Sequence, residues 1–282
     1  MGPLTRVLAG GQPTQRQSLG LGGLESEVLM QEYWTQPATY DPVEFDTRFR
    51  PELLDVWLPH FVRLADLAAA QRVLDLGCGT GGFALAIAQH TQAQVIGVDV
   101  APHLLRYAVA RSGALPILWA LGHAETLPLA DQTVDRVLMS LILHQIAHRE
   151  RAIQEVYRVL RPGGRCLVRT VAPEVTLQNW VPFRFFPQVA AIEAARLPAI
   201  ADILTMCTQA GFHALHTHTV ERNARVDFYK VREELRQRKR PSYKLLSEEE
   251  LANGLRAIEQ EWHTKGGHWI DPKPHVLITG VK

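Results

Sequence analysis

Gly77, Gly79 and Gly81 stand at every second position of Val73-Leu-Asp-Leu-Gly-Cys-Gly-Thr-Gly-Gly82, with the carboxylate of Asp75 just upstream. Glycines so placed let a ligand touch main chain, because they adopt backbone angles closed to other residues and carry no side chain. Arg72 to Leu76 reads as a short buried strand, and the run from Phe83 as the first turns of a helix. A second carboxylate, Asp99, ends the next apolar strand, where it can accept both hydroxyls of a ribose. The combination predicts a nucleotide-bearing cofactor at the carboxyl edge of a parallel sheet. Spacing alone does not choose which one, since Gly77-x-Gly79-x-x-Gly82 also satisfies the dinucleotide fingerprint.

Histidines supply the other candidate chemistry. His144 follows the fourth predicted strand in Leu141-Ile-Leu-His-Gln-Ile146, either as a general base or as a capping and packing residue. His144 and His148 have the four-residue spacing of a helical metal pair, but no third ligand pattern accompanies them, and no metal site is expected. His213, His216 and His218 read as surface residues of a strand near a sheet edge. Trp180, Phe183, Phe185 and Phe186 either wall an apolar acceptor pocket or pack a cap onto the sheet. Tyr33, Trp34 and Tyr40 are candidates for a lid, with ordinary helix packing as the alternative. The run Arg236-Gln-Arg-Lys-Arg240 follows Glu233 and Glu234 and reads as a solvated helix face.

These groups need a scaffold, and the chain alternates strand and helix in the way that builds one. Gln94–Val100, Pro116–Leu121, Val134–Leu143, Gly164–Val171 and Phe212–Val220 follow the first strand, with helical stretches between them. Such alternation with short links predicts an α/β fold with a parallel sheet covered on both faces. Residues 1–25 read as a leader, 26–71 as a helical lead-in broken by Pro37, Pro42, Pro51 and Pro59, and 72–173 as the core. A cap insertion is expected at 174–197, more core at 198–223, an insertion of two helices at 224–272 and a closing strand at 273–282.

Composition limits the partners. Lys plus Arg number 30 against 29 for Asp plus Glu, so no global field draws the chain to nucleic acid. No Asn/Asp-Pro-Pro-aromatic motif for an extruded base is present either. Three scattered cysteines do not make a disulfide framework, and no apolar run reaches membrane-spanning length. A soluble, cytoplasmic enzyme without membrane insertion is the expectation.

Two further motifs separate the cofactors. Gly122-His-Ala-Glu-Thr-Leu-Pro-Leu129 follows the third strand, and Glu155-Val-Tyr-Arg-Val-Leu-Arg-Pro-Gly-Gly164 precedes the fifth. With these in order after Asp75 and the glycine turn, the stretch Arg72–Val171 resembles the class I S-adenosylmethionine-dependent methyltransferases. The likeness is greatest to the small-molecule branch typified by the ubiquinone and menaquinone biosynthesis enzymes. The resemblance implies a Rossmann-like, seven-stranded, mostly parallel sheet whose last strand, Val276–Thr279, inserts antiparallel between strands five and six. It further implies that Gly77, Cys78 and Gly79 lie against the methionine portion, that Asp99 holds the ribose and that Val100 flanks the adenine. Ala124 and Glu125 would line the adenine side, and Ser140 and Leu141 would meet the amino-acid end. The family commonly has Asp where this chain has His123, whose neutral ring accepts through one nitrogen only.

The implied activity is in-line methyl transfer to a small organic acceptor, with S-adenosylhomocysteine as product. The leaving group departs neutral, so positioning does most of the work, and only an alcohol or phenol acceptor calls for a base. An NAD(P)-dependent oxidoreductase and a non-catalytic cofactor-binding regulatory module are the competing readings. Nothing in residues 172–272 names the acceptor.

Overall fold

The apolar runs become strands in the computed structural model, which describes residues 41–46, 51–176, 180–221, 223–225, 227–267, 269–272 and 274–282. The leader and the lid candidates Tyr33, Trp34 and Tyr40 lie outside these residues. Two helices lead in, α1 (Pro42–Asp46) and α2 (Pro51–Ala65). Prolines open both, where a missing N–H costs nothing. Pro59, expected to break the lead-in, is instead exposed inside α2.

The sheet is built from β1 (Arg72–Leu76), β2 (Gln94–Asp99), β3 (Ile117–Leu121), β4 (Val134–Ser140), β5 (Leu160–Thr170), β6 (His213–Val220) and β9 (His275–Val281). Their order is β3-β2-β1-β4-β5-β9-β6, with β9 antiparallel to both neighbours and the other pairs parallel. The chain order reverses beside β1, which puts the glycine turn at the switch point where open sheets take ligands. Helices α3 (Gly82–Thr91), α4 (Pro102–Ser112), α5 (Arg149–Val159) and α9 (Ile200–Ala210) link the strands.

Each sheet face has its own core. On one, Leu74, Val98, Val137, Met139 and Val168 pack with Ile153 and Val156 of α5 and Ile203 of α9. On the other, Val73, Leu138, Leu167 and Leu277 meet Trp57 and Phe61 of α2 and Phe83 and Ile87 of α3. Burying one such side chain contributes about 1.5–3 kcal/mol, so two continuous faces fix the sheet firmly.

Two strand boundaries differ from the sequence expectation. The fourth strand stops at Ser140 rather than Leu143, because Leu141 adopts a left-handed φ of 59° that no strand can continue, and Leu143–Gln145 form a 3₁₀ turn. The fifth begins at Leu160, since Arg161-Pro-Gly-Gly extends into the ladder after α5 has already ended at Val159.

Both insertions leave the sheet at its carboxyl edge. The first carries α6 (Pro173–Thr176), α7 (Val181–Phe185) and α8 (Pro187–Arg196) between β5 and α9. The second holds α10 (Phe228–Arg236), α11 (Pro241–Lys244) and α12 (Glu248–Thr264), flanked by the antiparallel pair β7 (Asn223–Arg225) and β8 (Ile270–Pro272). Three helices and a ribbon thus replace the two helices expected there; Pro241 opens the extra one and breaks the helical run. The two insertions share one core of Val181, Phe183, Phe186, Val189, Phe228, Leu235, Tyr243, Leu251, Ile258 and Trp269. They form a single cap.

Candidate active site

The glycine turn is a backbone device. Gly77, Gly79 and Gly81 have φ of 72°, 54° and 82°, and Gly81 is the N-terminal cap of α3. Gly77 and Cys78 donate to the Val98 carbonyl at 2.7 and 3.1 Å, which seats the turn on β2. A Cβ on Gly77 would collide with Ile142 Cγ2, and one on Gly81 would lie 2.6 Å from Trp119 Cη2. Both positions must stay bare for Ile142 and Trp119 to pack against the turn.

Two buried acids flank it. Asp99 accepts from the Gly79 N–H at 2.7 Å through Oδ2 and from the Ala101 N–H at 2.8 Å through Oδ1. Ionised carboxylate oxygens offer about four lone-pair sites, so these bonds leave capacity for ribose hydroxyls. Burial pushes the Asp99 pKa up, opposed by the backbone donors of Ala101, Gly79 and Val100. Asp75, 2% exposed, is pushed up to about 7, first by burial and further by the charge of Asp99, against a hydrogen bond from the Ala84 backbone. Its Oδ2 is buried without a hydrogen-bond partner among the described residues. The Cys78 thiol is raised by burial and by both acids, which keeps it protonated and unreactive. Two acids that resist ionising together suit a cationic ligand.

The other expected residues divide. Val100 is 47% exposed beside Asp99, an apolar surface open to a flat ring. His123 is exposed, Ala124 and Glu125 are half-buried, and Glu125 accepts from the His148 N–H at 3.0 Å. Ser140 ends β4 and Leu141 follows it, next to Gly77, since Met139 pairs with Leu76. His144 is half-buried in the 3₁₀ turn, whereas His148 stands immediately before α5, so the two share no helix. Among the described residues no three His, Cys, Asp or Glu side chains converge to hold a metal.

Several residues at the site escaped sequence reasoning. Arg149 donates to the Leu143 carbonyl at 3.1 Å and to the Arg196 carbonyl at 2.8 Å, tying the His144 turn to cap helix α8. Asp46 of α1 accepts from the Thr80 hydroxyl at 3.0 Å and pairs with Arg111 of α4, strapping the lead-in over the glycine turn. Ile142 covers Gly77, and Trp119 spans Gly97 and Gly81. Apart from the Arg149–Leu143 bond, six residues apart, these contacts join residues distant in sequence and carry no local signal.

Known proteins decide between the two cofactors. Residues 74–168 match the methyltransferase domain family. A ubiquinone/menaquinone biosynthesis C-methyltransferase of Syntrophotalea carbinolica is 34% identical over 187 residues, 57% of this chain and 76% of that one. The chain belongs to the class I S-adenosylmethionine-dependent methyltransferases. A malonyl-[acyl-carrier protein] O-methyltransferase of Methylococcus capsulatus is 42% identical over a shorter 108 residues, 38% of this methyltransferase and 39% of that one. Among solved structures, a putative methyltransferase from an antibiotic biosynthesis pathway of Anabaena variabilis superposes with a TM-score of 0.62 at 20% identity. That likeness covers 79% of this chain and 96% of the other, and it concerns the fold. The dinucleotide reading is thereby set aside: the cofactor is S-adenosylmethionine, and the protein is a methyl-transferring enzyme. No helix among the described residues is long and apolar enough to cross a membrane.

Proposed function

We propose that this methyltransferase acts on a small organic acceptor held between the carboxyl edge of the sheet and the helical cap. One observation carries the reading. Both insertions start and end at the edge that bears the glycine turn, and they are knit by one apolar core. The division of labour follows: 72–173, 198–223 and 273–282 bind the donor, 174–197 and 224–272 shape the acceptor pocket, and the described lead-in helices α1 and α2 brace the glycine turn and α3. Three free cysteines, all buried, favour a reducing cytoplasmic setting. The near balance of charge favours a small molecule over nucleic acid.

S-adenosylmethionine supplies an electrophilic methyl on a sulfonium. The residues of this chain bind and aim. Gly77, Cys78 and Gly79 receive the methionine portion, Asp99 the ribose, Val100, His123, Ala124 and Glu125 the adenine side, and Ser140 and Leu141 the amino-acid end. Asp75 contributes negative potential beneath the turn. His144, held by the turn that Arg149 braces, takes the proton from a hydroxyl acceptor.

The test is S-adenosylhomocysteine release across a panel of phenols, hydroquinones and carboxylic acids. Turnover on a member of the panel is expected. His144→Ala should then lower kcat by about 100-fold or more. S-adenosylhomocysteine affinity should stay within about twofold, because the imidazole acts on the acceptor alone. Unchanged turnover would remove His144 from the reaction.

A further inference from the structure

Arg169 stands next to last in β5 and is only 7% exposed. Burying a guanidinium is costly, and the surroundings offset the cost with polarisable groups. Its Cζ lies 3.9 Å from the centroid of Trp57 and 5.8 Å from that of Phe83. Nη1 donates to Ser140 Oγ at 3.2 Å, and Nη2 lies 3.4 Å from His275 Nε2, where a neutral imidazole accepts. Packing alone would keep such a group, but its address is unusual.

Arg169 pairs with Ser140 of β4 and Leu277 of β9, and its carbonyl accepts from the Leu141 N–H at 2.8 Å. Ser140 in turn lies beside Gly77. Neighbouring strands are about 4.8 Å apart, so the Arg169 backbone is roughly 10 Å from the glycine turn, within reach of a long side chain meeting a ligand halfway. His275 begins β9, where the chain re-enters the sheet from the cap. Further basic groups border the corner: the pKa of His60, on α2 near Trp57, is lowered by burial, by Arg63 and by His218.

We propose that Arg169 is a carboxylate seat at the methyl-transfer end of the site, with Ser140 as a second donor. This rests on the methyltransferase reading and adds a charged anchor to it. A guanidinium stays ionised at any physiological pH, and its planar fork matches a carboxylate in a way that an ammonium does not. Trp57 and Phe83 contribute through their ring faces, leaving recognition of the anion to N–H and O–H donors. Two carboxylates come within range, that of the cofactor's amino-acid tail and one carried by the acceptor. Both need the same seat.

Isothermal titration of the full chain separates them. Wild type, Arg169→Met and Arg169→Lys are titrated with S-adenosylhomocysteine and with 5′-methylthioadenosine, which lacks the amino-acid tail. The complexes with S-adenosylhomocysteine are then titrated with benzoate and malonate and with the matching amides. An Arg169→Met loss of about tenfold or more for S-adenosylhomocysteine, with less than about twofold for 5′-methylthioadenosine, assigns the seat to the cofactor tail. Unchanged S-adenosylhomocysteine binding, with loss of a wild-type preference for acid over amide, assigns it to the acceptor. Arg169→Lys should keep part of the affinity in either case, which serves if the methionine variant does not fold. Equal losses for both nucleosides overturn the proposal, as does unchanged S-adenosylhomocysteine binding without any acid preference. Failure of wild type to bind S-adenosylhomocysteine would instead remove the methyltransferase reading itself.

Discussion

The sheet and the cap are both closed by apolar packing, yet a glycine is required for different reasons in the two. Gly77 sits at a φ of 72° under Ile142, so backbone angle and overlying side chain both exclude a Cβ, whereas Gly254 lies inside α12 and only makes room for the ring of Phe186. In the sheet, aliphatic side chains fall into rows dictated by strand register. In the cap, short helices are locked by aromatic pairs: Trp180 with Phe183 at 4.5 Å, Phe228 stacked on Trp262 at 5.2 Å, Phe185 with Trp269 at 5.9 Å. The sheet half is thus constrained by backbone geometry, which few residue types satisfy. The cap is constrained by side-chain shape, which many sequences satisfy.

Substitution of the two halves should break them separately. Gly77→Val puts a β-branched residue at a positive φ and a Cβ against Ile142, so S-adenosylhomocysteine affinity should fall by more than about 100-fold in titration. Phe186→Ala attacks the cap instead. The ring is 1% exposed, and removing it should cost about 3–5 kcal/mol in denaturant unfolding of the cap. S-adenosylhomocysteine affinity should change by less than about twofold while turnover disappears. Equal damage to cofactor binding would mean that the Arg149 bridge couples the halves more tightly than their separate cores suggest.

The same contrast explains what the sequence made legible. Strand runs, the glycine turn, Asp99 and the insertion of β9 between β5 and β6 follow from local pattern together with the family resemblance, and the sheet order agrees. Glu125 accepts from the His148 N–H across 23 positions, a contact that nothing in its own neighbourhood marks. The Asp46 strap and the Arg149 bridge are likewise long-range, and nothing in their own neighbourhoods marks them. Arg169 was hidden by its setting, since an arginine in Cys166-Leu-Val-Arg-Thr170 reads as the polar end of a strand. The cap was visible as aromatic composition alone. Its third helix and its ribbon depend on which aromatic faces which, a matter of assembled shape.

Buried carboxylates sharpen the comparison with a smaller effect. In the cap, Glu193 is 4% exposed with both oxygens engaged, one by the Ser242 hydroxyl at 2.8 Å and the other by Arg196 at 2.6 Å. Asp75 in the donor half has no such pairing at Oδ2, and burial holds its pKa at about 7 against an ordinary 3.8. The folded chain therefore keeps a proton that the unfolded chain releases. Stability should be greatest below the unfolded value and should decline as pH rises from 3.8 to about 7, then level off. Binding of S-adenosylmethionine should run the other way, because its sulfonium and ammonium favour the ionised acid. Its affinity should rise a few-fold between about pH 6 and 8, within the limit of tenfold per unit for one proton. Asp75→Asn should flatten both profiles, while Glu193→Gln should weaken the cap and leave the affinity profile sloped. A sloped profile in Asp75→Asn would transfer the titration to Asp99, whose pKa burial also raises.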